Sequence, residues 1–254
     1  MIRFLRPFDP RRLRLLVFDL DGTLIDSRLD LIHSVNAMLR HIERPELDGD
    51  VIASYVGDGA PTLVRRALGD TDDEALLQKA MEYFLVYYRQ HKLDHTTVYE
   101  GIPEVLARLA NSSNGVESNG VPPDAVQPNG VPPNRVPPDG VPRQIAVLSN
   151  KPVNPSRDIV RALGLGDFFV CVYGGNSFTT KKPDPLGVRT IMQETGVAAD
   201  EALIIGDSAV DVLTGRNAGL WTCGVTYGFA PHSLEEVPPD VLVESPRELG
   251  ELLR

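Results

Sequence analysis

Leu13-Arg14-Leu15-Leu16-Val17-Phe18-Asp19-Leu20-Asp21-Gly22-Thr23-Leu24 is the stretch whose reading decides the architecture. Residues 13–18 form a nearly unbroken apolar run that stops at an acid, followed by a second acid and a glycine. A short apolar run bounded by turn chemistry reads as a strand buried on both faces, the kind found inside a parallel sheet. Carboxylates at the end of such a strand are costly to desolvate unless they bind a cation or take part in chemistry. The plainer alternative is a turn, since Asp-Gly pairs are common in turns and one acid is able to cap a helix.

Working outward, similar apolar runs occur at 145–148, 168–172, 202–205 and 221–225. Helical patterns at 155–163, 185–195 and 209–218 lie between or beside the later ones. This alternation predicts an α/β fold with a doubly wound parallel (Rossmann-like) sheet. The stretch 26–96 has apolar residues at helical spacing and no convincing strand. Helices are expected at 29–42 with Asp26 or Ser27 as N-cap, at 60–68 with Pro61 in the first turn, and at 73–90. An all-helical cap inserted after the first strand is therefore expected at 26–96, with 1–25 and 97–254 forming the core. An amphipathic helix at 102–110 leads back to the sheet.

From Asn114 the chain repeats a five-residue unit of Asn or Asp, Val and Pro. Prolines remove backbone donors, and the pieces are too short and polar to build a core. Residues 112–143 are expected to be a disordered Pro-rich insertion within the core domain. It joins a helix to the next strand, so it belongs at the amino edge of the sheet, away from chemistry at the carboxyl edge.

Three further strand ends or loops carry polar chemistry. Val147-Leu148-Ser149-Asn150-Lys151 places a hydroxyl and amides where they are able to donate to a phosphate oxygen. Lys181-Lys182-Pro183-Asp184-Pro185 holds Lys182 before a rigid proline, suited to neutralising a transferring phosphoryl group, with Lys181 read as a solvated neighbour. Ile204-Ile205-Gly206-Asp207-Ser208-Ala209-Val210-Asp211 ends a strand in acid and repeats the acid four residues on. That spacing brings Asp207 and Asp211 together at a helix start, where like charges call for a cation. All these elements converge on one crevice beyond the carboxyl ends of the strands. Clustered carboxylates suit Mg²⁺, a hard ion that binds alongside a substrate phosphate.

The composition narrows the partners. The 254 residues carry a formal net charge of -10, which disfavours nucleic acid and anionic membranes as ligands. An anionic substrate must then rely on local cations. Only two cysteines occur, Cys171 and Cys223, without metal-ligand spacing, and they read as buried free thiols of a reducing compartment. The start of the chain is basic and then apolar, yet its apolar run ends at Asp19 without a small-residue cleavage site. No stretch approaches the about 20 apolar residues of a membrane span. A cytoplasmic monomer or homodimer is expected.

With these motifs in order, the chain resembles the haloacid dehalogenase-like hydrolase superfamily and, within it, the phosphoglycolate phosphatase group. The helical insert resembles the family's cap of the first type. Val56-Gly57-Asp58-Gly59-Ala60 and the following residues 63–68 are similar to the substrate-loop region of those phosphatases. The resemblance implies Asp19 as a nucleophile forming an aspartyl-phosphate and Asp21 as general acid and base. It implies Mg²⁺ held by the carboxylates of Asp19 and Asp207 and the carbonyl of Asp21, with Asp211 supporting the metal from behind. Ser149, Asn150, Thr23 and Lys182 would hold the phosphoryl oxygens. In the cap, Gly57 and Gly59 would let the loop approach the substrate, and Arg66 would take a substrate carboxylate. The repeat at 112–143 departs from the family pattern without touching a motif.

The implied reaction is Mg²⁺-dependent hydrolysis of a small phosphomonoester, 2-phosphoglycolate above all. Broad sugar-phosphate or nucleotide phosphatases, and a phosphoglucomutase-like phosphotransferase, share the same motifs and remain alternatives. Dehalogenase and phosphonatase activities are disfavoured by Asp21, which those reactions do not need. A catalytically dead binding protein would be expected to lack one of these acids.

Overall fold

The computed structural model describes residues 1–111 and 143–254. Nine strands are described: β1 (Arg3–Phe4), β2 (Leu15–Phe18), β3 (Ile25–Asp26), β4 (Thr97–Val98), β5 (Gln144–Leu148), β6 (Cys171–Tyr173), β7 (Ala202–Gly206), β8 (Trp221–Val225) and β9 (Val241–Val243). Ten α-helices accompany them among the described residues: α1 (Arg28–His41), α2 (Gly49–Ser54), α3 (Ala60–Ala67), α4 (Glu74–His91), α5 (Ile102–Asn111), α6 (Val153–Ala162), α7 (Leu186–Thr195), α8 (Ala209–Ala218), α9 (Ser233–Glu236) and α10 (Pro246–Leu252).

Seven strands form the main sheet in the order β1-β9-β8-β7-β2-β5-β6. All neighbours pair in parallel except β1, which runs antiparallel to β9 at the edge. The chain builds from β2 outward through β5 and β6, then returns to the other side of β2 and adds β7, β8 and β9. Such a reversal opens a crevice at the carboxyl ends of the central strands. In register, Phe18 lies beside Val147 on one side and Ile205 on the other. Asp19, Ser149 and Asp207 therefore follow neighbouring strands at the same edge.

β2 also shows why the sheet is covered on both faces. Leu16 and Phe18 join a core with Ile102, Val105, Ile159, Val160 and Leu249, from α5, α6 and α10. Leu15 and Val17 point the other way, toward Val188 and Ile191 of α7. Alternation along one strand thus feeds two separate cores.

α1 to α4 lie between β3 and β4, which pair with each other antiparallel. These helices have a core of their own, in which Leu31, Val35, Met38 and Leu39 meet Ile52, Leu63, Val64, Phe84 and Tyr88. Phe229, from the loop after β8, packs against the core of the insert.

Several local expectations need correction. The apolar run at 168–172 is not one strand: Gly166–Phe168 is a 3-10 turn and pairing begins at Cys171. Short pairings at β1, β3, β4 and β9 leave no signature in the sequence, since two or three residues carry no period, and the six residues of α2 span less than two turns. Ser27 precedes α1 but makes no side-chain cap bond, whereas Asp26 accepts the Arg28 amide at 3.0 Å. Cys223 is buried, but Cys171 is only partly so, lying on edge strand β6. The repeat insertion lies outside the described residues apart from Arg143. At its far flank, the Gln144 amide donates to the carbonyl of Arg14, at the end of β2 opposite Asp19.

Candidate active site

β2 delivers two acids with unlike surroundings. Asp19 is buried, and its Oδ1 lies 2.8 Å from the ammonium of Lys182. Asp21 receives the Lys151 ammonium at 2.8 and 2.9 Å on its two oxygens, together with the hydroxyl of Ser27. Just after Asp21 the chain turns sharply. Gly22 has φ +81, and a Cβ there would sit 2.2 Å from Asp207 Oδ2, so this position needs glycine for both its backbone angle and its room.

β7 and the start of α8 supply the next acids. Asp207 follows the strand, and its Oδ2 accepts the amides of Phe229 and Ala230 at 2.6 and 3.3 Å. Those amides reach it because Gly228 passes so close that a Cβ would lie 2.3 Å from the Asp207 side chain. Asp211, one turn into α8, reaches back to the N-cap Ser208: its Oδ2 accepts the Ser208 amide at 3.3 Å, as in a capping box, and the Ser208 hydroxyl at 2.7 Å. Its other oxygen takes the Lys182 ammonium at 2.6 Å.

Lys182 thus bridges Asp19 and Asp211. Burial opposes its charge, yet these two carboxylates override that and hold it above the ordinary lysine range. Lys151 behaves likewise: burial works against it and Asp21 prevails. The carboxylates respond in the opposite sense. Burial pushes Asp19 up to about 6, with Lys182 opposing and Asp211 and Asp21 adding to the rise. Burial, then repulsion by Asp19 and Asp211, pushes Asp207 up to about 8.

Oxygens of Asp19, Asp207 and Asp211 all lie within 4.8 Å of one another. One lysine among three buried carboxylates leaves surplus negative charge, which adds to the effect of burial on Asp19 and Asp207. Such a donor set is able to hold a divalent metal ion. Asp211 belongs to this cluster through its carboxylate.

The remaining sequence candidates fall around this centre. Ser149 and Asn150 are buried beyond β5, and the Ser149 hydroxyl accepts the Lys151 amide at 3.2 Å. The Asn150 amide group donates to the carbonyls of Gly57 and Lys182, each at 3.1 Å, so it bridges the helical insert and the Lys182 loop. Thr23 is buried, and its hydroxyl has no hydrogen-bond partner among the described residues. Gly59 has φ +86, and a Cβ there would lie 2.9 Å from the Asn150 carbonyl oxygen, so this part of the loop packs against the core. Arg66 of α3 pairs with Asp58 at 2.7 Å and donates weakly to the Tyr55 carbonyl.

Lys151, Ser27 and Tyr88 were not singled out as site residues. Lys151 stood in the quoted motif, but nothing in its spacing shows that it folds back onto Asp21. Tyr88 comes from α4, and the Lys151 ammonium lies 4.8 Å from the centre of its ring. Lys181, read as solvated, donates to the Asp58 carbonyl of the insert. The lysine contacts cross between segments distant in sequence, so no local pattern announces them; Ser27 lies only six residues from Asp21.

The pattern matches a known family model described as haloacid dehalogenase-like hydrolase, over residues 16–119 and 142–225. The chain belongs to the haloacid dehalogenase-like hydrolase family. A phosphoglycolate phosphatase of Chromobacterium violaceum is 32% identical over 248 residues, covering 96% of this chain and 98% of its own. One from Pseudomonas putida is 33% identical over 243 residues, covering 93% and 78% respectively. Among solved structures, one described as a predicted phosphoglycolate phosphatase from Haemophilus somnus 129pt superposes with TM-score 0.79 at 24% identity, covering 96% of this chain and 99% of its own. A haloacid dehalogenase-like family hydrolase of Streptococcus pneumoniae gives 0.76 at 20% identity, covering 96% and 100%. The structural likenesses bear on fold alone. The resemblance read from the sequence, to this superfamily and its phosphoglycolate phosphatase group, is borne out.

Proposed function

We propose that this hydrolase is a phosphoglycolate phosphatase, cleaving 2-phosphoglycolate to glycolate and inorganic phosphate. The observation that carries the reaction type is the arrangement at the strand ends. Asp19 and Asp21 leave one strand two residues apart, yet Asp19 sits with Lys182 and the carboxylate cluster while Asp21 sits with Lys151 and Ser27. Two carboxylates held in unlike environments suit two different roles.

In this reading an Asp19 oxygen attacks phosphorus, the phosphorus–oxygen ester bond breaks, and the leaving alkoxide takes a proton from Asp21. Asp21, now ionised, takes a proton from water, whose oxygen attacks the aspartyl-phosphate. Phosphate leaves and the Asp19 carboxylate is restored. Lys182 and the hydroxyls of Ser149 and Thr23 donate to the phosphoryl oxygens, with the Asn150 amide beside them. The unpartnered Thr23 hydroxyl and the carboxylate cluster support a phosphate and a cation in this place. Mg²⁺ would be held by Asp19, Asp207 and the Asp21 carbonyl, with Asp211 behind them, and supplies positive charge against the transferring phosphoryl group.

We assign residues 1–25 and 97–254 to the core and 26–96 to a cap that closes over the substrate, supported by the separate core of α1 to α4. Gly57 and Gly59 then bring the loop close to the substrate, and Arg66 takes the glycolate carboxylate, exchanging Asp58 for it. The named substrate rests on the phosphoglycolate phosphatases that align with nearly the whole chain. Two thiols without a partner cysteine support a cytoplasmic location.

The test is phosphate release from 2-phosphoglycolate, sugar phosphates and nucleoside monophosphates, with and without Mg²⁺. Mg²⁺-dependent release that is fastest for 2-phosphoglycolate and absent in Asp19→Asn is the expected result. Faster turnover of another ester would move the substrate and keep the chemistry. No phosphate release from any ester, together with interconversion of sugar phosphates that depends on an added sugar bisphosphate, would assign a mutase instead.

A further inference from the structure

A second group of metal-ligating side chains lies away from the strand ends. Asp30, in the first turn of α1, and His33, on the next turn, meet His95, two residues before β4. One ligand atom from each of the three lies within 4.8 Å of the others. The two imidazoles stand edge to face with ring centres 5.2 Å apart.

Asp30 is buried, and its carboxylate is held rigidly. Its Oδ2 accepts the Thr96 amide at 2.9 Å and the Thr96 hydroxyl at 2.7 Å, while Oδ1 accepts the His95 amide at 3.0 Å. Oδ1 keeps a lone pair beyond that bond. A ligating carboxylate is ordinarily fixed by such outer hydrogen bonds, so the support expected behind a metal ligand is already built. His33 and His95 are exposed, and small rotations bring their nitrogens to the about 3.4 Å ligand separation that bonds of about 2.1 Å require.

We propose that Asp30, His33 and His95 form a second metal site, separate from the carboxylate cluster at the strand ends, for a borderline transition ion such as Zn²⁺. Two imidazoles and one carboxylate suit zinc-class ions, whereas Mg²⁺ and Ca²⁺ prefer oxygen donors throughout. Three protein ligands leave the fourth position to water. The bound ion ties the start of α1 to the segment entering β4, the two places where the chain passes into and out of the helical insert.

The test is calorimetric titration of Zn²⁺ into the full-length protein without a polyhistidine tag, with Mg²⁺ in large excess. Wild type takes up one Zn²⁺ at a site that His33→Ala and His95→Ala each weaken by about ten-fold or more. His232→Ala, elsewhere on the surface, leaves the isotherm unchanged. Both test positions are exposed, so the variants are expected to fold; matching thermal melts in EDTA verify this. Bound Co²⁺ supplies a second readout, since visible bands of nitrogen-ligated cobalt appear in wild type and fade in both variants. Wild type that binds no Zn²⁺ under these conditions, or variants whose isotherms and cobalt spectra match wild type, overturns the proposal.

Discussion

The carboxyl edge of the sheet and the loop 55–59 of the helical insert, with α3 following it, meet through Asn150 and Lys181 but are built in opposite ways. At the sheet edge, Asp19, Asp207, Asp211, Lys151 and Lys182 are buried: Lys182 pairs with Asp19 and Asp211, Lys151 pairs with Asp21, and oxygens of the three buried acids lie within 4.8 Å of one another. In the insert, the charged pair between Asp58 of the loop and Arg66 of α3 is about one-third exposed, and the neighbouring contacts with the core are made by backbone carbonyls of Gly57 and Asp58. A buried network fixes geometry because every unpaired charge in it is expensive. A half-solvated pair exchanges partners at low cost. The sheet edge is therefore suited to a reaction common to many esters, and the loop to choosing among them.

The largest expected effect tests the first half of that contrast. Asp19→Asn lowers phosphate release by about four orders of magnitude or more, as expected for a nucleophile, while the melting temperature stays near that of wild type. A variant that keeps substantial turnover would remove Asp19 from the chemistry.

Lys182→Met breaks the network itself. Removing one partner of a buried ion pair costs about 3–5 kcal/mol, and here it leaves Asp19 and Asp211 facing each other without their shared cation. Urea unfolding in EDTA reads this loss directly. Excess Mg²⁺ is expected to restore part of the stability but not the turnover.

Arg66→Ala probes the loop. Loss of a charge-assisted hydrogen bond to a substrate carboxylate is worth about 1.5–3 kcal/mol. The ratio kcat/KM for 2-phosphoglycolate should fall by that amount, while an ester without a carboxylate is nearly unaffected. Equal losses for both substrates would show that Arg66 serves the loop through Asp58 alone.

The smallest effect is a pH dependence of stability. Burial raises Asp207 to about 8 and Asp19 to about 6, against 3.8 when unperturbed. Between the unfolded and folded values the native state binds more protons than the unfolded chain, so stability falls as pH rises. Metal-free protein should thus melt several degrees lower at pH 8.5 than at pH 5.5. Asp207→Asn flattens this slope, and Mg²⁺ at the higher pH offsets it. A melting temperature that rises with pH in EDTA would contradict the burial of these carboxyls as neutral acids.

The central strands were legible because each is a short apolar run closed by a distinctive polar residue. β8 occupies 221–225 as expected, and β5 and β7 each gain only one residue over the expected range. Edge pairings such as β1 with β9 were not legible, because antiparallel pairing of two residues is decided by what lies alongside. The same division holds in the site. Asp19 and Asp207 announce themselves as acids at buried strand ends and Asp211 by its spacing from Asp207, whereas Lys151 reaches Asp21 only after the strands align.

By itself, then, the sequence determined the parallel sheet, the helical insert and which acids meet at the sheet edge. Those follow from local periodicity and from the rule that neighbouring parallel strands end together. Only the tertiary structure decided which lysine serves which carboxylate, that Phe229 and Ala230 amides reach Asp207, and that Asn150 joins the insert to the core. Those contacts join residues remote along the chain, and their distances are set by packing at glycines such as Gly22 and Gly228 rather than by spacing in the sequence.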